Sequence, residues 1–197
     1  MATYAAFVTT QYIKNNTPII AYVEDDELQP FIKVAQDTHI QKTLGTNLFN
    51  DLKTKVLNNS LNSDEVSLMN DYVQPATSWC VVYEFILFNH YKITNKGITK
   101  QNSENSVSAE LNEVNFLRDD TKNKSEFFKD RLCKYLMANQ ALFPLYYGGN
   151  IDVDTIQPSH KNFYSGLYTG KRRYNSGCVD CPIGPNTWID LSGKFGN

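Results

Sequence analysis

Between residues 98 and 143 the chain contains neither glycine nor proline. A stretch of that length with nothing to supply a turn has one good solution, a long helix. Ser106 or Ser108 can cap it, and the helix then continues toward Phe143. Its apolar stripe is Leu111, Val114 and Leu117, followed by Phe128, Leu132, Tyr135 and Leu136. From Arg118 to Glu126 every residue is polar, so an exposed helical span is expected there. The i,i+4 pairs Asp120–Lys124 and Asp130–Lys134 support it by roughly a few tenths of a kcal/mol each.

A second helix is predicted upstream. Val66, Met69, Val73, Ala76, Cys80, Tyr83, Leu87 and His90 recur at steps of three and four, and Asn62 with Glu65 forms a capping box ahead of them. From Trp79 the opposite face is apolar as well, through Val82, Phe85 and Ile86. A helix apolar all round belongs at the centre of a fold. Pro75 is expected to kink or divide it. Glu84, alone among apolar residues, needs a partner, with Arg118 or Arg131 as the candidates. Between the two long helices lies Tyr91–Lys100, two short alternating segments around Asn95-Lys96-Gly97. It reads as a β-hairpin with a three-residue loop in which Gly97 takes a positive φ.

The first sixty residues read as shorter helices. Thr9 or Thr10 caps one through Tyr12 and Ile13. Glu24-Asp25-Asp26-Glu27 heads the next, with Leu28, Phe31, Ile32, Ala35 and His39 on one face and Pro30 awkwardly placed. Gly45 stops that run, and Thr46 is expected to cap a helix burying Leu48, Phe49 and Leu52.

Composition changes at Pro144. Eight of the ten glycines and four of the seven prolines lie in residues 144–197. That region is also rich in Tyr, Phe and Trp, which a disordered tail normally lacks. The fold class expected is therefore mainly α: a helical bundle with one β-hairpin and a long irregular, aromatic- and Gly-rich C-terminal arm. Residues 1–147 form the body. Residues 148–197 form an arm that docks on its own body or on a neighbouring subunit.

Charge is nearly balanced, 21 acidic against 19 basic residues, which is not the signature of a strong nucleic-acid binder. The N-terminal residues lack the pattern of a signal peptide. The longest apolar run, Trp79 to Phe88, is too short to cross a bilayer, so no membrane is expected and the chain is expected to be made in a cytoplasm. Four cysteines are too few for a disulfide scaffold. Cys178 and Cys181 have zinc-ligand spacing, but no second pair accompanies them, so no metal or other cofactor is assigned. Lys171-Arg172-Arg173-Tyr174, with Tyr164 and Tyr168 before it, resembles a small stacking and phosphate-binding patch, though with only about three phosphate contacts available it reads first as a basic rim that meets an acidic partner surface. A nucleic-acid- or zinc-binding module is thus the alternative reading. No nucleophile elbow, phosphate loop or zinc-protease motif is present. His39 and His90 read as satisfied helix residues, and no enzyme is inferred.

Several short stretches occur in a telling order. Tyr12-Ile-Lys-Asn-Asn-Thr-Pro18-Ile19 is followed by Asp25-Asp26-Glu27-Leu28-Gln29-Pro30-Phe31-Ile32-Lys33-Val34-Ala35-Gln36-Asp37. Then come Leu44-Gly45-Thr46-Asn47-Leu48-Phe49, Asp71-Tyr72-Val73-Gln74-Pro75 and Ile93-Thr94-Asn95-Lys96-Gly97-Ile98. Tyr135-Leu136, Asn139 and Phe143-Pro144 close the series. Over about residues 7–147 this order resembles the small helical head–tail connector (adaptor) proteins of tailed bacteriophages, of the kind found in Bacteroidetes and crAss-like phages. The resemblance implies a structural virion protein of the neck, a homo-oligomeric ring of about twelve copies. Its partners would be the portal protein and the next tail or neck ring protein, with DNA only as passing cargo. The family brings no catalytic residues. Lys92, Asn95, Lys96 and Gly97 of the hairpin, with Tyr164, Tyr168, Lys171, Arg172, Arg173, Tyr174 and Trp188 of the arm, are the candidate assembly contacts.

Overall fold

The computed structural model describes residues 4–19, 21–95, 97–100, 110–148 and 155–158. They are mainly helical. Helix α1 (Thr10–Asn16) starts at Thr9, whose hydroxyl accepts from the Tyr12 N–H at 3.1 Å. Helix α2 (Asp25–Ala35) carries Asp25, Asp26 and Glu27 in its first turn and buries Leu28, Ile32 and Ala35. Pro30 lies well inside it, so the Asp26 carbonyl loses the N–H it would meet one turn on. The helix then passes through a π turn, Gln36–Ile40, into α3 (Gln41–Leu44). Buried Gln36 uses its amide to hold the N-terminal segment, accepting from Phe7 N–H at 3.0 Å and donating to the Ala5 carbonyl at 2.8 Å.

Gly45 turns the chain with φ +77° and ψ 153°, a conformation open to glycine alone, and α4 (Thr46–Leu57) follows. Thr46 is not the cap, because Gly45 occupies that position. The Thr46 N–H donates instead to the Ile156 carbonyl at 2.9 Å, and the Ile156 N–H donates to the Thr46 hydroxyl at 2.9 Å. A distant segment, not a neighbouring side chain, thus satisfies the helix start.

The capping box appears as expected: Asn62 accepts from Glu65 N–H at 2.8 Å and Glu65 accepts from Asn62 N–H at 3.0 Å. It opens α5 (Ser63–Leu68), which continues through a second π turn, Met69–Val73, into α6 (Gln74–His90). Pro75 neither breaks nor ends the path. It sits in the first turn of α6, where its missing N–H is harmless, and the π turn just before it absorbs the mismatch. Val66 is exposed, unlike the rest of the predicted stripe's first half. Val73, Ala76, Cys80, Val81, Val82 and Phe85 are all buried, which makes α6 the central helix.

Strands β1 (Tyr91–Thr94) and β2 (Gly97–Lys100) form the antiparallel hairpin, pairing Tyr91 with Lys100 and Thr94 with Gly97. The loop is therefore two residues long rather than three. Gly97 has the positive φ expected, +111°, but as the first residue of β2.

Helix α7 (Leu111–Ala138) is one unbroken helix of 28 residues. Its cap is Glu110 in a box with Glu113; Ser106 and Ser108 lie outside the described residues. The polar middle is helical, as expected, but not wholly exposed. Thr121 and Ser125 are buried, and their hydroxyls donate to carbonyls of their own helix, Leu117 and Arg118 for Thr121 and Lys122 for Ser125. Leu111 and Leu117 are half exposed, at 51% each. The buried line instead runs through Val114, Thr121, Ser125, Leu132 and Leu136. Leu117 stands beside that line, and Leu111 is the first residue of the helix. The chain turns at Asn139 and buries Phe143, then Tyr146 of α8 (Pro144–Tyr147).

Contacts divide the chain into residues 1–160 and 161–197. The segment 155–158 thus goes with the body, and all of residues 161–197 lie outside the described residues.

Candidate assembly surface

Helices α6 and α7 run antiparallel, and a ladder of rings and cations closes their seam. Tyr72 stacks on Tyr135 at 4.1 Å and carries Arg131 over its face at 4.9 Å. Trp79 lies parallel to Phe128 at 6.4 Å, with Lys124 over the indole at 5.2 Å. Tyr83 carries Arg118 at 4.5 Å. Each such cation contributes roughly 0.5–1 kcal/mol where it stays partly solvated. Arg118 and Arg131 are thereby committed to rings, and neither is the partner of Glu84. That partner is His39 of the first π turn, whose Nε2 lies 2.7 Å from the Glu84 carboxylate. The His39 ring also meets Tyr83 edge-on at 6.0 Å. The steps from the second π turn into α6 held the signal for the ladder, since Tyr72, Trp79 and Tyr83 are spaced by seven and four.

The hairpin is tied down at its base. Lys92 reaches Glu27 of α2 at 2.7 Å, so this candidate contact residue is engaged within the chain. Asn95 and Gly97 at the tip are exposed. Lys96, Tyr164, Tyr168, Lys171, Arg172, Arg173, Tyr174 and Trp188 lie outside the described residues, as do Cys178 and Cys181.

Between α2 and the end of α6 the Lys92–Glu27 bridge borders an open apolar groove of about 300 Å³. Phe31 meets Phe85 at 5.4 Å and Phe88 at 5.6 Å along it, with Pro30 and Tyr91 beside them and Asp26 at the edge. Phe88 is 48% exposed. Two further rings face solvent on α7, Phe116 at 78% and Phe127 at 64%. Eleven residues apart, they share one face about 16 Å from each other. None of these exposed rings was legible as exposed, because apolar periodicity marks faces without saying which face is covered.

The titrating groups point to structure. Burial pushes the Cys80 thiol up to about 12, helped by Glu84 and opposed by Lys129, so its thiolate is scarce. Burial also raises the Tyr4 and Tyr146 hydroxyls, with Asp37 adding to the first and Cys133 to the second. Hydrogen bonding from Lys14 lowers Asp25 below the usual carboxylate range and ties α1 to the start of α2. Lys55 is raised by its hydrogen bonds to Asp51 and to buried Glu65. Among the described residues no group of three or more His, Cys, Asp or Glu could hold a metal ion, and no helix is long and apolar enough to cross a membrane.

These features define a helical body whose polar chemistry is spent on internal ties and whose exposed rings lie along α7 and the groove. The chain belongs to DUF6712, a family of unknown function, whose pattern matches residues 40–150. That span runs from the last residue of the first π turn past α8, and leaves α1 and all of α2 outside. No curated protein and no solved structure matches the chain.

Proposed function

We propose that this protein is a structural virion component, a non-enzymatic subunit of the head–tail connector ring beneath the portal. The ring joins capsid to tail and lets DNA pass. The observation that carries the reading is the motif order shared with phage connectors. Those motifs fall on α1, α2, the α3–α4 junction, the second π turn, the hairpin and the α7–α8 junction. The resemblance therefore runs through the whole body rather than one amphipathic helix.

The surface supports the same reading. A cyclic ring uses heterologous contacts, so one patch on a copy meets a different patch on the next. Phe116 and Phe127 on α7 offer one exposed apolar patch, and the groove beside α2 offers a separate one. The portal and the next neck ring are the partners above and below, and the neck of the virion is the location. Mass spectrometry of purified virions, with a reconstruction of their neck, tests the proposal. The expected result is about twelve copies in one ring layer. Particles that lack the protein, or carry it away from the neck, overturn it.

A further inference from the structure

We propose that the groove between α2 and α6 receives the segment Lys171-Arg172-Arg173-Tyr174 of a second copy, with the Tyr174 ring among Phe31, Phe85 and Phe88. The inference rests on the ring reading and adds to it a named pair of contacts.

The groove is apolar inside and acidic outside. Pro30, Phe31, Phe85, Phe88 and Tyr91 line it, and it opens to solvent beside the first turn of α2. Four acids cluster there. Lys14 takes Asp25 and Lys92 takes Glu27. Among the described residues Glu24 and Asp26 have no ion-pair partner, and Asp26 lines the groove itself. A carboxylate without an internal partner beside an open set of rings favours one kind of visitor. That visitor is cationic, donates hydrogen bonds and carries an aromatic ring.

The chain itself holds one run that fits. Lys171, Arg172 and Arg173 are consecutive and Tyr174 follows directly. The body's last described residue is Pro158, packed against Gly45, and the run begins thirteen residues later, an interval that can span up to about 45 Å. An aromatic anchor in a pocket with cations on an acidic rim is a common plan for a segment that binds a neighbouring surface.

Zero-length carbodiimide coupling tests the pairing in the full-length protein. Equal parts of isotopically heavy and light chains are mixed, coupled and digested. The expected product is an amide between Lys171 and Glu24 or Asp26 that joins heavy to light peptides. Phe88→Glu should reduce its yield at least fivefold, as should Tyr174→Ala, while circular dichroism shows both variants folded. Absence of the product overturns the proposal. So do coupling only within one chain and a yield indifferent to both variants. Sedimentation of the same samples separates this from the ring: rings without the crosslink refute the groove pairing alone. Heavy–light crosslinks in a species that never closes support the pairing and count against the ring.

Discussion

Helices α6 and α7 lie side by side along most of their length, yet they are built on opposite plans. In α6, seven of seventeen residues are buried, and they lie on more than one face. In α7 five of twenty-eight are buried, in a single line, and two of these are Thr121 and Ser125. The first helix, which also buries Thr77 and Ser78, is held mainly by the hydrophobic effect acting on more than one face. The second is held along one seam, by a few leucines at its C-terminal half and by cations lying on the rings of α6. A core helix and a strap can thus share an interface while drawing on different forces. The outer face of the strap is left for other contacts.

The sharpest way to break this contrast is Val81→Asp. A carboxylate at a fully buried site should cost more than about 4 kcal/mol and abolish cooperative unfolding, as read by circular dichroism. If the variant folds, α6 is not central. The two cysteines give the next largest difference. With its thiol near 12, Cys80 should be alkylated at pH 8 roughly a thousandfold more slowly than an ordinary thiol. Half-buried Cys133 on α7 should react well ahead of it, with peptide mapping to assign the sites. Leu132→Ala, at the buried end of the strap, should cost about 2–4 kcal/mol in chemical denaturation. Arg118→Ala removes only the cation over Tyr83 and should cost about 0.5–1 kcal/mol. Phe116→Ser should leave stability within about 0.5 kcal/mol, because the described residues leave the ring mostly uncovered. A large loss there would show that α7 buries two faces.

The central helix was legible in the sequence because a run apolar on all sides admits few placements. The capping box at Asn62 and the Thr9 cap were legible because their donors and acceptors are local. What escaped depended on distant residues. The partner of Glu84 is 45 positions away at His39 and could not be chosen over the arginines by spacing. Thr46 looked like a cap because threonine often is one, but Gly45 takes that place and Ile156 supplies the acceptor. The phase of α7 was misread at Leu111 and Leu117, since two leucines outweigh a threonine and a serine in any apolar stripe. In the structure those small hydroxyl residues are the ones buried. Pro30 was expected to be awkward unless its helix began close to it, and Pro75 to kink or divide its helix. Each instead lies in a helix that also contains or adjoins a π turn, where one extra residue is absorbed without leaving the helical path.

The junction of Thr46 with Ile156 also sets an order of events. The two residues are 110 positions apart. A ribosome adding 5–20 residues per second needs on the order of 5–20 s to make the chain between them. Through that interval the first N–H of α4 has no Ile156 carbonyl to meet and can be satisfied only elsewhere, as by water. Gly45, bare of a side chain, keeps the berth for Pro158 clear until it arrives, since a Cβ there would stand 2.8 Å from the proline ring. The start of α4 is thus closed only by residues made long after it, so truncation before Ile156 would leave that helix end open.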